Sequence, residues 1–316
     1  MTSAKSISYK ALLHDCGLPP LPFLGKGMQC LVFAEGTSQV VKIYSQAAGV
    51  ENLQRLMQFY ASLDASAVSF AVPEIIAVEM VQEHILVKEK RMHGISPTLH
   101  YLQNLTAREL ETYFQQYVDS LFQIQKITTN FLQPGEPLDL SGDFCHYAHY
   151  GSWQSLLSAN LQRKLAASNV YYRSFVRDLE AVVEAVSAKI PTLPNETNRL
   201  IHGDFYPGNT LMDIDFNITA VLDFGTYTLV GDPIYDVALG WIFADMYQNV
   251  KQLQAIDFVG DLIQARVTKE EWQRIKLYIL IYSLLSADIY SDPGDPDGHF
   301  QWAMNNLKND DFREVL

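Results

Sequence analysis

The stretch LIHGDFYPGNTLMDIDFNITAVLDFGTYTLVGDPIYDVA, residues 200–238, sets six aspartates among runs of apolar residues. Asp204, Asn209 and Asp223 fall close together in it, although each carboxylate makes it harder for the next to ionise. A turn with Asx capping explains the aspartate of GDFYPGN and leaves the full set unexplained. The segments NTLMDI and ITAVLDF read as two short strands, with Asp213 and Asp215 as hairpin-turn residues. That hairpin returns Asp223 to the neighbourhood of Asp204 and Asn209. Oxygen donors gathered in this way suit a hard divalent cation, which would also relieve their mutual repulsion.

The rest of the chain bounds what such a cluster is for. At 316 residues, 48% hydrophobic and 19% charged, it has length for two lobes and composition for packed cores. The start of the chain lacks a basic region followed by an apolar run and a cleavage site, so no secretory signal is expected. The longest apolar run, LYILIYSLL from Leu277, is about half of the ~20 residues that span a bilayer, and reads as a core helix. Cys16, Cys30 and Cys145 are too scattered for a disulfide framework or a zinc site, so a reducing, cytoplasmic setting is expected. A net charge of −13 argues against nucleic acid or an anionic membrane as partner. Residues 201–316 hold 18 Asp and Glu against 7 Lys and Arg. Two readings of that imbalance stay open: a solvated acidic face, or a cleft that attracts a metal or a cationic substrate.

The opening ~90 residues read as five strands and one helix, the helix running from about Ala47 to Leu63. After Pro97 the period turns helical, and TARELETYFQQYVDSLFQIQKI puts Leu110, Tyr113, Phe114, Tyr117, Leu121 and Ile124 on one face. Residues 131–152 read as loop. SFVRDLEAVVEAVSAKI is a helix stopped by Pro191 and Pro194, and KEEWQRIKLYILIYSLLSADIY is another. The expected architecture is α+β: a small β-rich N-terminal lobe, residues 1–93, and a helix-rich lobe, residues 94–316, with a cleft between.

Two further features face that cleft. GKGMQCLVF places Gly25 and Gly27 between two strands, where backbone N–H groups approach a phosphate without Cβ interference; a plain turn is the alternative. No GxxxxGK[ST] loop is present. Lys42 sits mid-strand in VVKIY, either snorkelling from an edge or aiming its ammonium at nucleotide phosphates. Glu51, the only acid between Lys42 and Asp64, is the candidate partner by elimination. Phosphoryl transfer from ATP needs a carboxylate to accept a hydroxyl proton and oxygen ligands for the Mg²⁺ on the phosphates. The Asp204–Asn209–Asp223 set meets that need.

HGDFYPGN, then VLDFG, then GDPIYDVA resemble the aminoglycoside phosphotransferase and choline kinase family, relatives of the protein kinases. The likeness is tight over about 200–240 and loose in the first lobe. It implies a protein-kinase-like two-lobed fold, ATP and Mg²⁺ as cofactors, Asp204 as catalytic base, and Asn209 and Asp223 as metal ligands. It further implies Lys42 on the α/β-phosphates, Arg91 and Met92 presenting backbone to adenine, Asp236 bracing the catalytic loop, and His202 as a structural brace. No APE segment follows DFG, and GTYTLVGDP is short for a regulated activation loop, which favours a small-molecule hydroxyl over a protein substrate. A cationic acceptor of the aminoglycoside type is expected, with choline, homoserine or a sugar as alternatives and a non-catalytic nucleotide-binding pseudo-kinase as the contrasting class. For a quaternary ammonium, Trp241, Tyr247, Trp272, Tyr282 and Trp302 are cage candidates. Cys145, His146 and His149 lack a completed ligand set, and Asp292, Asp295 and Asp297 miss the calcium-loop spacing.

Overall fold

β-Branched and aromatic residues in period-2 alternation build the first sheet, from β1 (Phe23–Lys26), β2 (Cys30–Glu35), β3 (Gln39–Ser45), β4 (Ile75–Val81) and β5 (His84–Lys90). The computed structural model describes residues 9–27, 29–138, 151–195, 199–244, 255–287 and 298–316. Strand order is β1-β2-β3-β5-β4, every neighbouring pair antiparallel. Alternation sends Phe33, Val41, Ile43 and Leu86 to a small core with Leu12 and Leu13 of α1 (Tyr9–Asp15), a helix the sequence reading missed. Tyr44, Ile85 and Val87 face the other way and join the main core with Leu53, Leu56, Phe59 and Tyr60 of α2 (Val50–Ala61).

Beyond the sheet the chain is mainly helical: α3 (Leu99–Gln103), α4 (Ala107–Ile124), α5 (Trp153–Phe175), α6 (Leu179–Lys189), α7 (Ile234–Phe243), α8 (Ala255–Gln264), α9 (Lys269–Ser286), α10 (His299–Leu307) and α11 (Asp310–Arg313). Capping boxes open α4 at Thr106–Glu109 and α9 at Thr268–Glu271, each satisfying two N-terminal donors reciprocally. The α4 stripe buries Tyr113, Phe114, Tyr117, Leu121 and Ile124 as its spacing predicts, while Leu110 stays partly exposed. Where one helix was read over 174–190, α5 ends at Phe175 and α6 begins at Leu179, since Val176 takes an extended conformation. No helix among the described residues is long and apolar enough to cross a membrane.

Two small ribbons carry the opening stretch. β7 (Thr210–Met212) pairs with β8 (Ile218–Val221), the hairpin read from sequence. Asp213 accepts the backbone N–H groups of Asp215 and Asn217, each at 2.9 Å, which closes its turn. β6 (Arg199–Ile201) pairs with β9 (Leu229–Gly231), so the chain closes on itself around residues 202–228. Cys145, His146, His149, Tyr247, Asp292, Asp295 and Asp297 lie outside the described residues.

Candidate active site

The loop after β6 is held from below. Asp236, in the first turn of α7, is buried and accepts the backbone N–H groups of His202 at 2.6 Å and Gly203 at 2.8 Å. Gly203 has φ +79°, and a Cβ there would lie 2.1 Å from the Tyr227 carbonyl oxygen, so only glycine fits between the loop and the 223–228 segment. His202 donates from Nε2 to the Leu222 carbonyl at 2.7 Å and accepts the Asp204 N–H at Nδ1, 3.2 Å away. Burial pushes this imidazole down to about 4, so it is neutral and serves as a brace. The Thr228 hydroxyl donates to the His202 carbonyl at 3.0 Å and accepts the Gly225 N–H at 2.9 Å.

On this frame stand the predicted acids. The half-buried Asp204 accepts a hydrogen bond from Asn209 Nδ2 at 3.2 Å, and the same nitrogen donates to the Asp204 carbonyl at 2.9 Å. Burial, then the charge of Asp223, pushes the Asp204 carboxyl up to about 7. Asn209 ends a 3₁₀ turn at Pro207–Asn209, and its carbonyl accepts the Leu222 N–H at 2.8 Å, coupling the loop to the strand that delivers Asp223. Asp223 is exposed and left-handed, with φ +58°, a conformation that Asp tolerates better than most residues. It accepts no hydrogen bond among the described residues, and no cluster of three His, Cys, Asp or Glu there is arranged to hold a metal unaided.

Lys42 points from β3 toward the same acids. Burial alone would lower its pKa, but Glu89, followed by Tyr44, Asp223 and Tyr60, outweighs that and holds the ammonium charged well above the usual lysine value. Its partner corrects the sequence reading. Glu89 Oε2 lies 2.9 Å from Lys42 Nζ, whereas Glu51 is exposed in the first turn of α2, where a carboxylate complements the helix N-terminus. Glu89 was missed because it lies far along the chain from Lys42; only the strand register makes them neighbours. Its one sequence signal is an acid at an inward position of ILVKEK.

The remaining expected residues occupy these places. Gly25 is in β1, and Gly27, just after it, donates to the Cys30 carbonyl at 2.9 Å. Neither has positive φ, and an added Cβ would meet nothing at Gly25 and, at Gly27, only Cys30, its Sγ at 3.4 Å and its carbonyl oxygen at 3.8 Å. The protein's own packing therefore does not require either glycine. Arg91 donates its N–H to the Ser38 carbonyl at 2.8 Å and its guanidinium to the Gly36 carbonyl at 3.3 Å; the half-buried Met92 follows. The cage candidates among the described residues fall into two groups. Trp241 and Trp272 stack on each other at 4.8 Å, while Tyr282 and Trp302 pack with Phe243 and His299. Asp232 accepts the Ile234 N–H just before α7 and is also buried against Arg274 at 2.9 Å and the Tyr278 hydroxyl at 2.8 Å.

Comparison with known proteins bears on the fold. The gentamicin–APH(2")-IIa complex matches with a TM-score of 0.58 at 15% identity, over 98% of this chain and 97% of that one. The ADP-bound aminoglycoside phosphotransferase APH(2'')-Ib matches at 0.56 and 14%, over 96% and 97%. APH(3'')-Id from Streptomyces rimosus matches at 0.52 and 14%, over 88% and 96%. These likenesses give the fold: a small β lobe and a larger helical lobe of the protein-kinase-like type. A search of curated protein sequences returns no match. The model of the phosphotransferase enzyme family spans residues 29–278, from β2 through the loop of Asp204 and Asp223 into α9. By fold, by loop and by that span, the chain belongs to the phosphotransferase enzyme family.

Proposed function

We propose that this protein transfers the γ-phosphoryl group of ATP to a hydroxyl of a small cationic molecule, of the aminoglycoside type. Residues 1–93 serve the nucleotide and residues 94–316 the acceptor. The observation that carries the reading is the convergence of Asp204, Asn209 and Asp223 on one braced loop opposite a charged Lys42. The acceptor oxygen bonds to the γ-phosphorus as the bond from that phosphorus to the β–γ bridging oxygen breaks. The hydroxyl proton passes to the Asp204 carboxylate, and ADP departs. Base catalysis is most effective when the pKa lies near the working pH, and burial, the largest influence on Asp204, raises its carboxyl in that direction.

Lys42 meets the α/β-phosphates, and Gly25 and Gly27 leave the space above the sheet clear for them. Arg91 serves adenine through its carbonyl alone, because its N–H is taken by Ser38. Asp223 and the amide oxygen of Asn209 fit Mg²⁺, a hard ion that commonly takes one or two protein oxygens and completes its shell from phosphates and water. When bound, Mg²⁺ neutralises charge on the transferring group.

Mg²⁺-dependent ATP consumption, screened against cationic antibiotics, amino alcohols and sugars, tests the proposal. We expect a cationic hydroxyl compound to stimulate turnover. Turnover no faster than that of Asp204→Ala with every compound would overturn the enzyme reading.

A further inference from the structure

β3 and β5 are neighbouring antiparallel strands in which Lys42 faces Val87. Alternation puts Glu89, two residues on, on the same face as Lys42. The two charged ends meet at 2.9 Å, with side chains 18% and 7% exposed. Removing one member of so buried a pair strands the other charge in a poor solvent, which makes the contact hard to leave half-made.

We infer that Glu89 is the positioning residue for Lys42, and that the pair fixes the phosphate-binding ammonium within one sheet, with no carboxylate from helix α2. The inference rests on the reading of Lys42 as the phosphate-binding lysine. Helix α2 is committed elsewhere. Its Glu51 is exposed, and its Tyr60 hydroxyl donates to the Phe224 carbonyl at 2.8 Å. Arg55, one turn earlier, donates to the Leu138 carbonyl at 3.3 Å and to Glu136 at 3.2 Å, with its guanidinium 5.2 Å from the Phe131 ring centre. Helix α2 is thereby fastened to segments of the helical lobe. Its apolar side chains pack on the sheet face that carries the pair, so the helix contributes cover to Lys42 and Glu89 and no carboxylate.

The pair also predicts a pH signature that a purely structural role would not give. Glu89, Tyr44, Asp223, Tyr60 and Cys30 are the titratable groups around Lys42. Glu89 is the largest influence holding the ammonium charged against burial. In Glu89→Gln, burial acts without that opposition, and Lys42 loses its proton at a lower pH.

ADP binding with Mg²⁺, measured by calorimetry at about pH 7.5 and about pH 9.5, tests this in wild type, Glu89→Gln, Glu89→Asp, Glu51→Gln and Lys42→Ala. Glu89→Gln should weaken binding roughly tenfold at the lower pH, as loss of an orienting partner commonly does at other sites, and further at the higher pH. Glu89→Asp, which keeps the charge, should recover most of the affinity and the flat pH dependence. Should Glu89→Gln fold poorly by its melting curve, Glu89→Asp carries the test, and its affinity should then stay level between the two pH values while that of Lys42→Ala is weak at both. Wild-type affinity in Glu89→Gln beside a weakened Lys42→Ala overturns the inference alone, as does a loss that follows Glu51→Gln instead. Undiminished affinity in Lys42→Ala overturns the inference together with the reading of Lys42.

Discussion

The aspartates of residues 200–238 divide by what each carboxylate touches. Asp213 closes a hairpin turn, Asp232 is buried against Arg274 and Tyr278, and Asp236 holds two backbone N–H groups. Asp223 is committed to no protein donor among the described residues, while Asp204 shares only Asn209. Asp215 also accepts no bond among those residues, but it lies in the exposed hairpin turn, whereas Asp223 lies close enough to Asp204 and Lys42 to act on both. Asp236 offers a direct check on the frame. Asp236→Asn keeps the shape but turns one acceptor oxygen into a donor facing a backbone N–H. It should cost about 1–3 kcal/mol, read from the urea midpoint, with a fall in activity as the loop loosens. An unchanged midpoint would remove Asp236 from the role of brace. The types and order of these residues were legible in the sequence. Their division of labour was not, because HGD, DFG and GDP look alike until the partners of each carboxylate are known.

At the scale of elements, periodicity served well wherever one face is buried. The five-stranded sheet and the α4 stripe were legible because period 2 and period 3.6 each had a single core to face. The elements missed were those whose pattern is weak or shared. Helix α1 covers only a small core, and β6 and β9 are three residues each, recognisable only as partners of one another. The pairing of Lys42 failed for the same reason. Elimination along the chain looks for a near neighbour, whereas antiparallel strands bring together residues far apart in sequence. Glu89 lies diagonally across the β3–β5 ladder from Lys42, within the reach of two long side chains. Helix α2 was located correctly but its business was not: it ties the sheet to the 131–138 segment and to Phe224 instead of supplying an acid to Lys42.

Across the whole molecule, acidity and burial pull in recognisable directions. Part of the negative charge of the last third lines a groove of about 720 Å³ floored by the stacked Trp241 and Trp272, with Asp257, Asp261, Asp311 and Glu314 around it. None of the aspartates of 200–238 belongs to that groove, so net charge alone could not have located the site. Burial also sets the pH response. His202 and His299 are pushed down to about 4, and Asp204 and Asp236 up to about 7. As pH falls from 7 toward 4, the unfolded chain protonates two histidines while the native state protonates two aspartates. Their contributions to the slope of stability nearly cancel. His299→Gln removes one of the histidines. A histidine whose folded pKa is depressed takes stability away as pH falls below its unfolded value near 6.5, so its loss favours the variant in acid. Relative to wild type, the variant should gain about 1.4 kcal/mol per pH unit between pH ~6.5 and about 4, and nothing further below, measured by urea unfolding at several pH values. A constant difference would mean that His299 titrates normally. If Asp204 does chemistry at a site that binds nucleotide without it, a single-turnover measurement of γ-phosphoryl transfer in Asp204→Asn, beside calorimetry of ATP binding, will separate the two. Asp204→Asn should keep near-native ATP affinity with transfer slowed by about two to four orders of magnitude; transfer at the wild-type rate, or a loss of ATP affinity that accounts for the whole defect, would rule out Asp204 as the base.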